Sequence, residues 1–123
     1  VSKFFDKAMK NETITLHNGD NKVDFTYRQD AATGIIQAAL SSVANVSFNI
    51  TAGNATSLRT LAEMIIEITG SKSELEDIGN HKLYPMRGTL DIGRAKDLLG
   101  YKPKFSLKEG LQSYYDWLRQ YTS

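Results

Sequence analysis

The sequence of 123 residues predicts an α/β fold that is rich in helix and has only a few short strands. Several segments carry apolar residues at three- and four-residue steps, which is the spacing of one helix face. Between them lie short β-prone runs that end in turn-forming residues. The composition, with 41% apolar and 24% charged residues, is that of an ordinary globular domain.

The first half of the chain predicts two helices and two strands. Residues 2–10 have apolar side chains at helical spacing, and residues 13–16 form a β-prone run that ends in a turn. A second short strand is expected at 23–27. Asp30 is expected to cap a helix over residues 31–40, because Asp is favoured just before a first helical turn. The apolar residues of this helix cover more than one stripe, so we expect it to be packed on two sides.

The middle of the chain predicts a strand, a helix and another strand. Residues 46–50 are β-prone, and Ser57 caps the clearest helix of the sequence, which Gly70 ends. The start of that helix offers backbone N–H groups to an anion, although a plain strand-to-helix loop explains the same residues. A further strand is expected at 75–78, followed by an exposed connection over 79–89.

Two helices close the chain. The first spans residues 91–99 and ends at Gly100. The second follows Ser106, because Ser106 and Glu109 form a capping-box pattern. Five residues of this helix are expected to share one apolar face: Leu107, Leu111, Tyr114, Leu118 and Tyr121.

Composition disfavours several functional classes. The chain has no cysteine, and its two histidines, His17 and His81, are far apart in sequence, so no zinc-ligand spacing is present. A net charge of +1 gives no reason to expect nucleic acid as a partner. No apolar run approaches the ~18 residues of a membrane span, so no membrane partner is expected. Because the start of the sequence lacks signal-peptide anatomy, we expect a cytoplasmic location.

Arg87 is the candidate anion ligand. The sequence contains neither a Walker loop nor a Gly-x-Gly-x-x-Gly turn. Arg87 lies in a polar stretch before a predicted helix, and arginine binds phosphate oxygens through two parallel hydrogen bonds. A solvated loop cation is the alternative interpretation. Arg59 and Arg94 fall within predicted helices and are expected at the surface.

Four motifs follow one another along almost the whole chain. Residues 17–30 resemble Gly-Asp-Gly-x-Gln-x-Arg-Asp-Phe-x-Tyr-Val-x-Asp, and residues 48–62 resemble Phe-Asn-Ile-Gly-x-Gly followed by Ser-x-x-x-Leu-Ala. Residues 91–103 are similar to Asp-Ile-Ser-Lys-Ala-x-x-Leu-Leu-Gly-Trp-x-Pro, and residues 106–111 match Ser-Leu-x-Glu-Gly-Leu. In this order and spacing, the motifs resemble the extended short-chain dehydrogenase/reductases that act on nucleotide sugars.

The resemblance implies the carboxy-terminal substrate-binding part, plus the last elements, of a Rossmann-fold epimerase or dehydratase. Residues 1–123 are then a single fragment, in which about 31–50 belong to the Rossmann part of the parent. The family's Gly-x-x-Gly-x-x-Gly turn and Tyr-x-x-x-Lys pair do not occur in this sequence. The resemblance therefore implies that NAD or NADP binds the full-length parent, and that this chain alone binds no cofactor and has no catalytic activity.

The resemblance to this family also implies three partners. They are a nucleoside-diphosphate sugar, the missing N-terminal Rossmann half, and a second copy of the chain in a homodimer. The last two follow because elements cut away from a Rossmann domain would expose apolar surface.

The resemblance also implies the substrate-binding residues. The segment around Gly19, which includes Leu16 and His17, is implied to approach the nucleobase. His17 stands where the family usually has glycine. This departure puts ordinary substrate binding in question.

Two arginines of the family are implied to bind the diphosphate. The first falls on Val23, which cannot bind a phosphate, so Lys22 or Arg28 would have to replace it. Neighbouring strand positions point to opposite faces, which argues against a simple replacement. The second falls on Arg87. The departure at Val23 keeps an alternative open, in which the chain is a non-catalytic binding or protein-interaction module derived from this fold.

Overall fold

The computed structural model describes residues 1–79 and 87–122. Within this part of the chain, five helices are joined by short strands and extended loops, as a helix-rich α/β fold predicts. In chain order, the elements are α1 Ser2–Met9, β1 Ile14–Leu16, β2 Lys22–Val23, α2 Arg28–Leu40, β3 Thr56–Ser57, α3 Leu58–Thr69, β4 Leu75–Asp77, α4 Gly93–Leu99 and α5 Leu107–Tyr121.

The strands form two small ladders. Strand β1 pairs in parallel with β4, from Ile14 opposite Leu75 to Leu16 opposite Asp77. Strand β2 pairs antiparallel with β3. Because parallel strands end at the same edge, the residues that follow β1 and those that follow β4 are brought side by side.

The core lies between α1, α3, α5 and the β1–β4 ladder. Phe5 of α1 is fully buried, and its ring contacts Tyr114 and Tyr115 of α5 at centroid distances of 5.3 and 6.0 Å. Aromatic pairs at this separation add to the stabilisation from apolar burial. The buried hydrophobic members of this cluster are Phe5, Ala8, Ile14, Leu16, Leu61, Ala62, Ile65 and Leu111.

The ends of α3 and α5 confirm the predicted caps. The Oγ of Ser57 accepts a hydrogen bond from the Thr60 amide at 3.0 Å, and Gly70 ends α3 with a φ of 64°. This left-handed conformation favours glycine, because a side chain there meets the backbone. Ser106 and Glu109 form the predicted capping box of α5.

Asp30 is not the helix cap that the sequence predicted. Helix α2 begins at Arg28, so Asp30 lies in its first turn, and Tyr27 occupies the cap position. The carboxylate of Asp30 is buried and accepts hydrogen bonds from the amides of Lys104 at 2.9 Å and Phe105 at 3.0 Å. A buried carboxylate requires such donors, and here they fasten the segment before α5 onto α2.

Helix α2 is packed on one side only, which contradicts the expectation of two packed sides. Its inner side lies so close to Ile50 that a Cβ on Gly34 would clash with the Cγ2 of Ile50. Its outer side exposes 64% of Ile35, 57% of Ile36 and 84% of Leu40. We call these three residues the α2 apolar face.

The prediction of a strand at 46–50 is wrong. This segment has no strand partner within the described residues, and side chains hold it instead. The Asn49 side chain donates to the carbonyl of Asp91 at 2.9 Å, and Arg94 donates to the carbonyl of Ser47 at 3.2 Å. A β-prone sequence forms a strand only where another strand supplies the hydrogen bonds.

Other differences are smaller. The strand expected at 23–27 covers only Lys22–Val23, and the helix expected over 91–99 begins at Gly93. Tyr121, placed on the apolar face of the last helix, is 69% exposed. Most of the expected connection at 79–89 lies outside the described residues, and the described part of it is exposed.

Replacing Ile65 by alanine should lower the free energy of unfolding by about 3 kcal/mol, because Ile65 is fully buried and the change leaves a cavity. Ile36→Ala is the matched control on α2, and it should change stability in the 123-residue chain by less than about 0.5 kcal/mol. Urea unfolding of both variants measures the difference, and equal effects would show that the core is wrongly assigned.

Candidate functional site

The β1–β2 turn, residues 17–21, lies where the motif resemblance places the nucleobase-binding segment. It begins directly after the buried Leu16 and is closed by a hydrogen bond from the Asn21 amide to the Asn18 carbonyl at 3.0 Å. Asn18 has a φ of 63°, in the left-handed region that asparagine tolerates better than most residues. Leu16 therefore contributes its side chain to the core, while His17 is exposed at the start of the turn.

The carboxylate of Asp77 holds the centre of this turn. Its Oδ2 accepts hydrogen bonds from the Gly19 amide at 2.9 Å and from Nη2 of Arg59 at 2.7 Å. Its Oδ1 accepts from the Gly79 amide at 3.0 Å. One side chain thus joins the turn after β1, the end of β4 and the start of α3.

Helix α3 binds the same turn through its backbone. The amide of Leu58 donates to the Asn21 carbonyl at 3.0 Å, and the amide of Arg59 donates to the Gly19 carbonyl at 2.9 Å. The next amide, that of Thr60, donates to Ser57. These amides, which a helix start usually leaves without partners, are therefore occupied. The expectation that this helix start offers them to an anion is wrong.

Hydrogen bonding lowers the pKa of Asp77. The largest cause is the Gly79 amide, followed by the Gly19 amide, and the nearby charge of Arg59 adds to the effect. Each of these donors favours the ionised carboxylate. The turn is therefore held by a charged group throughout the neutral pH range.

Arg87 reaches the turn through its backbone. Its amide donates to Oδ1 of Asn21 at 3.3 Å, and Asn21 is only 8% exposed. The Arg87 residue itself is exposed. The structure thus brings together the two regions that the motifs relate to the nucleobase and to the diphosphate. In the sequence, Asn21 and Arg87 are 66 positions apart.

Lys22 and Val23 lie in the short β2–β3 ladder. Lys22 pairs with Ser57 and Val23 with Thr56. Lys22 is exposed and Val23 is partly buried. Successive strand residues point to opposite faces, so the side chain of Lys22 does not point to the face on which Val23 lies.

A second carboxylate, Asp24, organises the loops beside this ladder. It accepts hydrogen bonds from the hydroxyl of Thr51 at 3.1 Å and from the amides of Asn54 at 3.4 Å and Leu90 at 3.2 Å. Asp24 thereby ties the loop that carries Arg87 to the loop that precedes α3. Its place in the Asp-Phe motif was the sequence signal that could have suggested this role.

Sequence reasoning also missed Asp77, Asn21 and Arg59 as site residues. Arg59 was expected at the surface, and its side chain is 41% exposed, but it also forms an ion pair with Asp77 that the sequence did not indicate. Arg94 is exposed, as expected. The only signal for Asp77 was its position at the end of a predicted strand, and that signal does not reveal which amide groups it meets.

An aromatic cavity lies apart from the predicted site residues. It has a volume of about 250 Å³ and is lined chiefly by rings from the segment after β2 and from α5. Arg28 is at its edge, but none of the five predicted site residues lines it. The aromatic lining residues are Phe25, Tyr27, Phe105, Tyr114 and Trp117.

Neither a metal-binding cluster nor a membrane-spanning helix is found among the described residues. Residues 1–79 and 87–122 contain no group of three or more His, Cys, Asp or Glu side chains that could hold a metal ion. No helix in this part of the chain is long and apolar enough to cross a membrane. The turn after β1 leads into β2 and not into a helix, so it does not fit the pyrophosphate turn of a Rossmann dinucleotide site.

Relatives of the chain include epimerases and decarboxylases of UDP-sugars. No family model matches the sequence. The chain is 32% identical over 104 residues to UDP-glucuronate 4-epimerase of Thermodesulfobacterium geofontis, in an alignment of 84% of this chain and 32% of the relative. It is 32% identical over 123 residues to UDP-glucuronic acid decarboxylase 1 of Xenopus tropicalis, covering 98% of this chain and 28% of the relative.

Solved structures show the same relationship. UDP-glucose 4-epimerase of Thermotoga maritima, solved with UDP-glucose, superposes with a TM-score of 0.91 at 28% identity, covering 99% of this chain and 40% of the enzyme. UDP-glucuronic acid 4-epimerase of Bacillus cereus, solved with UDP-glucuronic acid and NAD, gives a TM-score of 0.85 at 25% identity, covering 96% of this chain and 38% of the enzyme.

The fold and the ordered motifs together define the class as the extended short-chain dehydrogenase/reductases. Within that class, the chain matches the carboxy-terminal portion of nucleotide-sugar epimerases and decarboxylases. It spans only about a third of the length of the relatives it matches. The matched solved structures include complexes with nicotinamide cofactors, so cofactor use is a property of these neighbours.

The stability that Asp77 contributes should depend on pH. Because its pKa is lowered in the folded chain, its contribution is complete above its unfolded pKa of about 3.9 and is lost as the pH falls through the folded value. The difference in unfolding free energy between the wild type and Asp77→Asn should be constant from pH 7 to 5 and shrink below about pH 4. Urea titrations measure it, with Glu76→Gln on the same strand as the control. A difference that stays constant down to pH 3 would contradict the assignment.

Proposed function

We propose that this chain is the nucleotide-sugar-binding portion of an NAD(P)-dependent sugar epimerase, dehydratase or decarboxylase, and that it is catalytically incomplete by itself. In such an enzyme the nicotinamide supplies hydride transfer at a sugar carbon. The present sequence contains no Tyr-x-x-x-Lys pair to move the accompanying proton. Its own contribution is to bind and orient the nucleotide sugar.

The observation that carries this proposal is the hydrogen bond between Asn21 and Arg87. It joins the β1–β2 turn, which the motifs relate to the nucleobase, to the arginine that the motifs relate to the diphosphate. The same ligand class is supported by the relative UDP-glucuronate 4-epimerase and by the solved complex of UDP-glucose 4-epimerase with UDP-glucose. In this arrangement the turn contacts the base, and the guanidinium of Arg87 binds phosphate oxygens.

A non-catalytic binding or protein-interaction module is the second candidate. Val23 favours it, because a valine replaces one of the two arginines implied for the diphosphate. His17 at the start of the turn is a second departure. A module of this kind would keep the packing around Asp77 and Asp24 without binding a nucleotide sugar.

Calorimetric titration with UDP-glucose, UDP-glucuronic acid and UDP separates the two candidates. The titration should be carried out on the longest polypeptide that contains this chain. Under the first proposal, Arg87→Ala weakens binding of all three ligands by about 10- to 100-fold, because it removes hydrogen bonds to a charged group. Arg119→Ala on α5 is the charge-matched control and should bind like the wild type.

Each outcome of this titration assigns the function. Binding that requires Arg87 supports the nucleotide-sugar site. Binding that is unchanged in Arg87→Ala would place the diphosphate elsewhere, on Lys22 or Arg28. An absence of binding to all three ligands would favour the interaction module.

We also propose that the α2 apolar face packs against the amino-terminal Rossmann half of a longer protein. Residues 31–50 would then belong structurally to that half. Three apolar side chains are exposed together on α2, and the Oε1 of Gln37 on the same helix is buried without a hydrogen-bond partner. The relatives, in which the chain matches about a third of the length, provide a segment large enough to cover this face. A homodimer through α2 is the competing arrangement.

The double change Ile36→Asp/Leu40→Lys distinguishes these arrangements. In the 123-residue chain it should leave the unfolding free energy within about 1 kcal/mol, because both residues are exposed. In a longer polypeptide it should destabilise by more than about 2 kcal/mol, because it buries charge. Sedimentation velocity gives the mass of each form. If the change converts a dimer of the longer polypeptide to a monomer without destabilising it, the homodimer is the correct arrangement.

A further inference from the structure

The β1–β2 turn is held by groups from outside it as well as by its closing bond. These outside groups are the carboxylate of Asp77 and the first two amides of α3. Such a segment presents its backbone to a ligand in one arrangement only while those outside groups are in place. The geometry of the turn therefore depends in part on Asp77, at the end of β4.

Gly19 is the point of closest approach between the turn and this support. A Cβ built on Gly19 would lie 2.7 Å from Oδ2 of Asp77 and 3.1 Å from Nη2 of Arg59. No side chain fits there without displacing the ion pair. The glycine, the carboxylate and the guanidinium thus form one packed unit.

The turn that Asp77 supports also contacts the backbone of Arg87. Asn21, at the end of the turn, accepts two hydrogen bonds: its carbonyl oxygen accepts from the Leu58 amide, and its side-chain Oδ1 accepts from the Arg87 amide. A shift of the turn would therefore move the backbone of Arg87 with it. A change at Asp77 is expected to alter both ends of the proposed ligand site.

We propose that Asp77 is a positioning residue for nucleotide binding, which acts through Gly19 and Arg59 to hold the β1–β2 turn in its ligand-binding shape. This inference rests on the proposed function and adds a residue that the family motifs of this chain do not include. Asp77 itself does not contact the ligand in this arrangement. Its effect reaches the base through the backbone of the turn, so it should influence which base is accepted.

The test is calorimetric binding of UDP and of ADP to the wild type, Asp77→Ala and Glu76→Ala in the longest polypeptide in which the chain occurs. Asp77→Ala should weaken UDP binding by about 3- to 10-fold, because ligand binding then has to order the turn. It should weaken ADP binding less, so the preference for UDP over ADP falls. Glu76→Ala removes the same charge from the neighbouring strand position and should bind like the wild type.

Two readouts separate positioning from loss of folding. A folding defect lowers the binding stoichiometry and leaves the affinity and the base preference of the remaining protein unchanged. A positioning defect keeps the stoichiometry and changes both. Hydrogen exchange should show faster exchange at the amide of Gly19, with unchanged exchange at the amide of Ile65 in the core.

A double-mutant cycle with Gly19→Ala tests the contact itself. Gly19→Ala should weaken UDP binding in the wild type because its Cβ displaces Asp77, and it should cost less in the Asp77→Ala background. Additive effects would overturn the inference, as would an Asp77→Ala variant with wild-type affinity and preference. If the wild type itself binds neither nucleotide, the proposed function fails, and the positioning role fails with it.

Discussion

The parallel pairing of β1 with β4 is the constraint on which the candidate site depends. It places Leu16 opposite Asp77, so the turn that follows β1 and the loop that follows β4 must leave the same edge. Asp77 then bonds the amides of Gly19 and Gly79, one in each connection. A slip of one residue would turn Leu16 out of the core and carry Asp77 away from the turn. Burial of Leu16 therefore also specifies the geometry of the polar site.

Helix positions could be predicted well from the sequence because their signals are local. Ser57, Gly70 and the Ser106–Glu109 box act within one turn of the helix ends that they define. The strand at 46–50 could not be judged in this way. Its residues are β-prone, but a ladder needs a partner, and the described residues of this chain supply side-chain contacts in place of one. The failure thus concerns pairing and not propensity.

The polar contacts of the site could not be predicted from local sequence patterns either, because they join residues that are far apart in sequence. Gly19 and Asp77 are 58 positions apart, and Asp30 bonds amides that lie 74 and 75 positions away. The motifs did locate the turn and Arg87, because both belong to ordered stretches along the chain. They did not indicate what holds these stretches together. These stretches are held together by the carboxylates of Asp24, Asp30 and Asp77. The hydrogen-bond partners of these carboxylates are defined only in the folded chain.

The positive charge available to a diphosphate follows from these contacts. With valine at position 23, three cations lie beside the turn, namely Lys22, Arg59 and Arg87. Arg59 already donates to Asp77, so its charge is balanced by an ion pair that also supports the turn. Drawing Arg59 towards a phosphate would loosen the turn that we propose to contact the base. Lys22 is a compact charge without the planar, two-pronged geometry of arginine. Under the proposed function, Arg87 is thus a guanidinium beside the turn that can bind phosphate without breaking the Arg59–Asp77 ion pair.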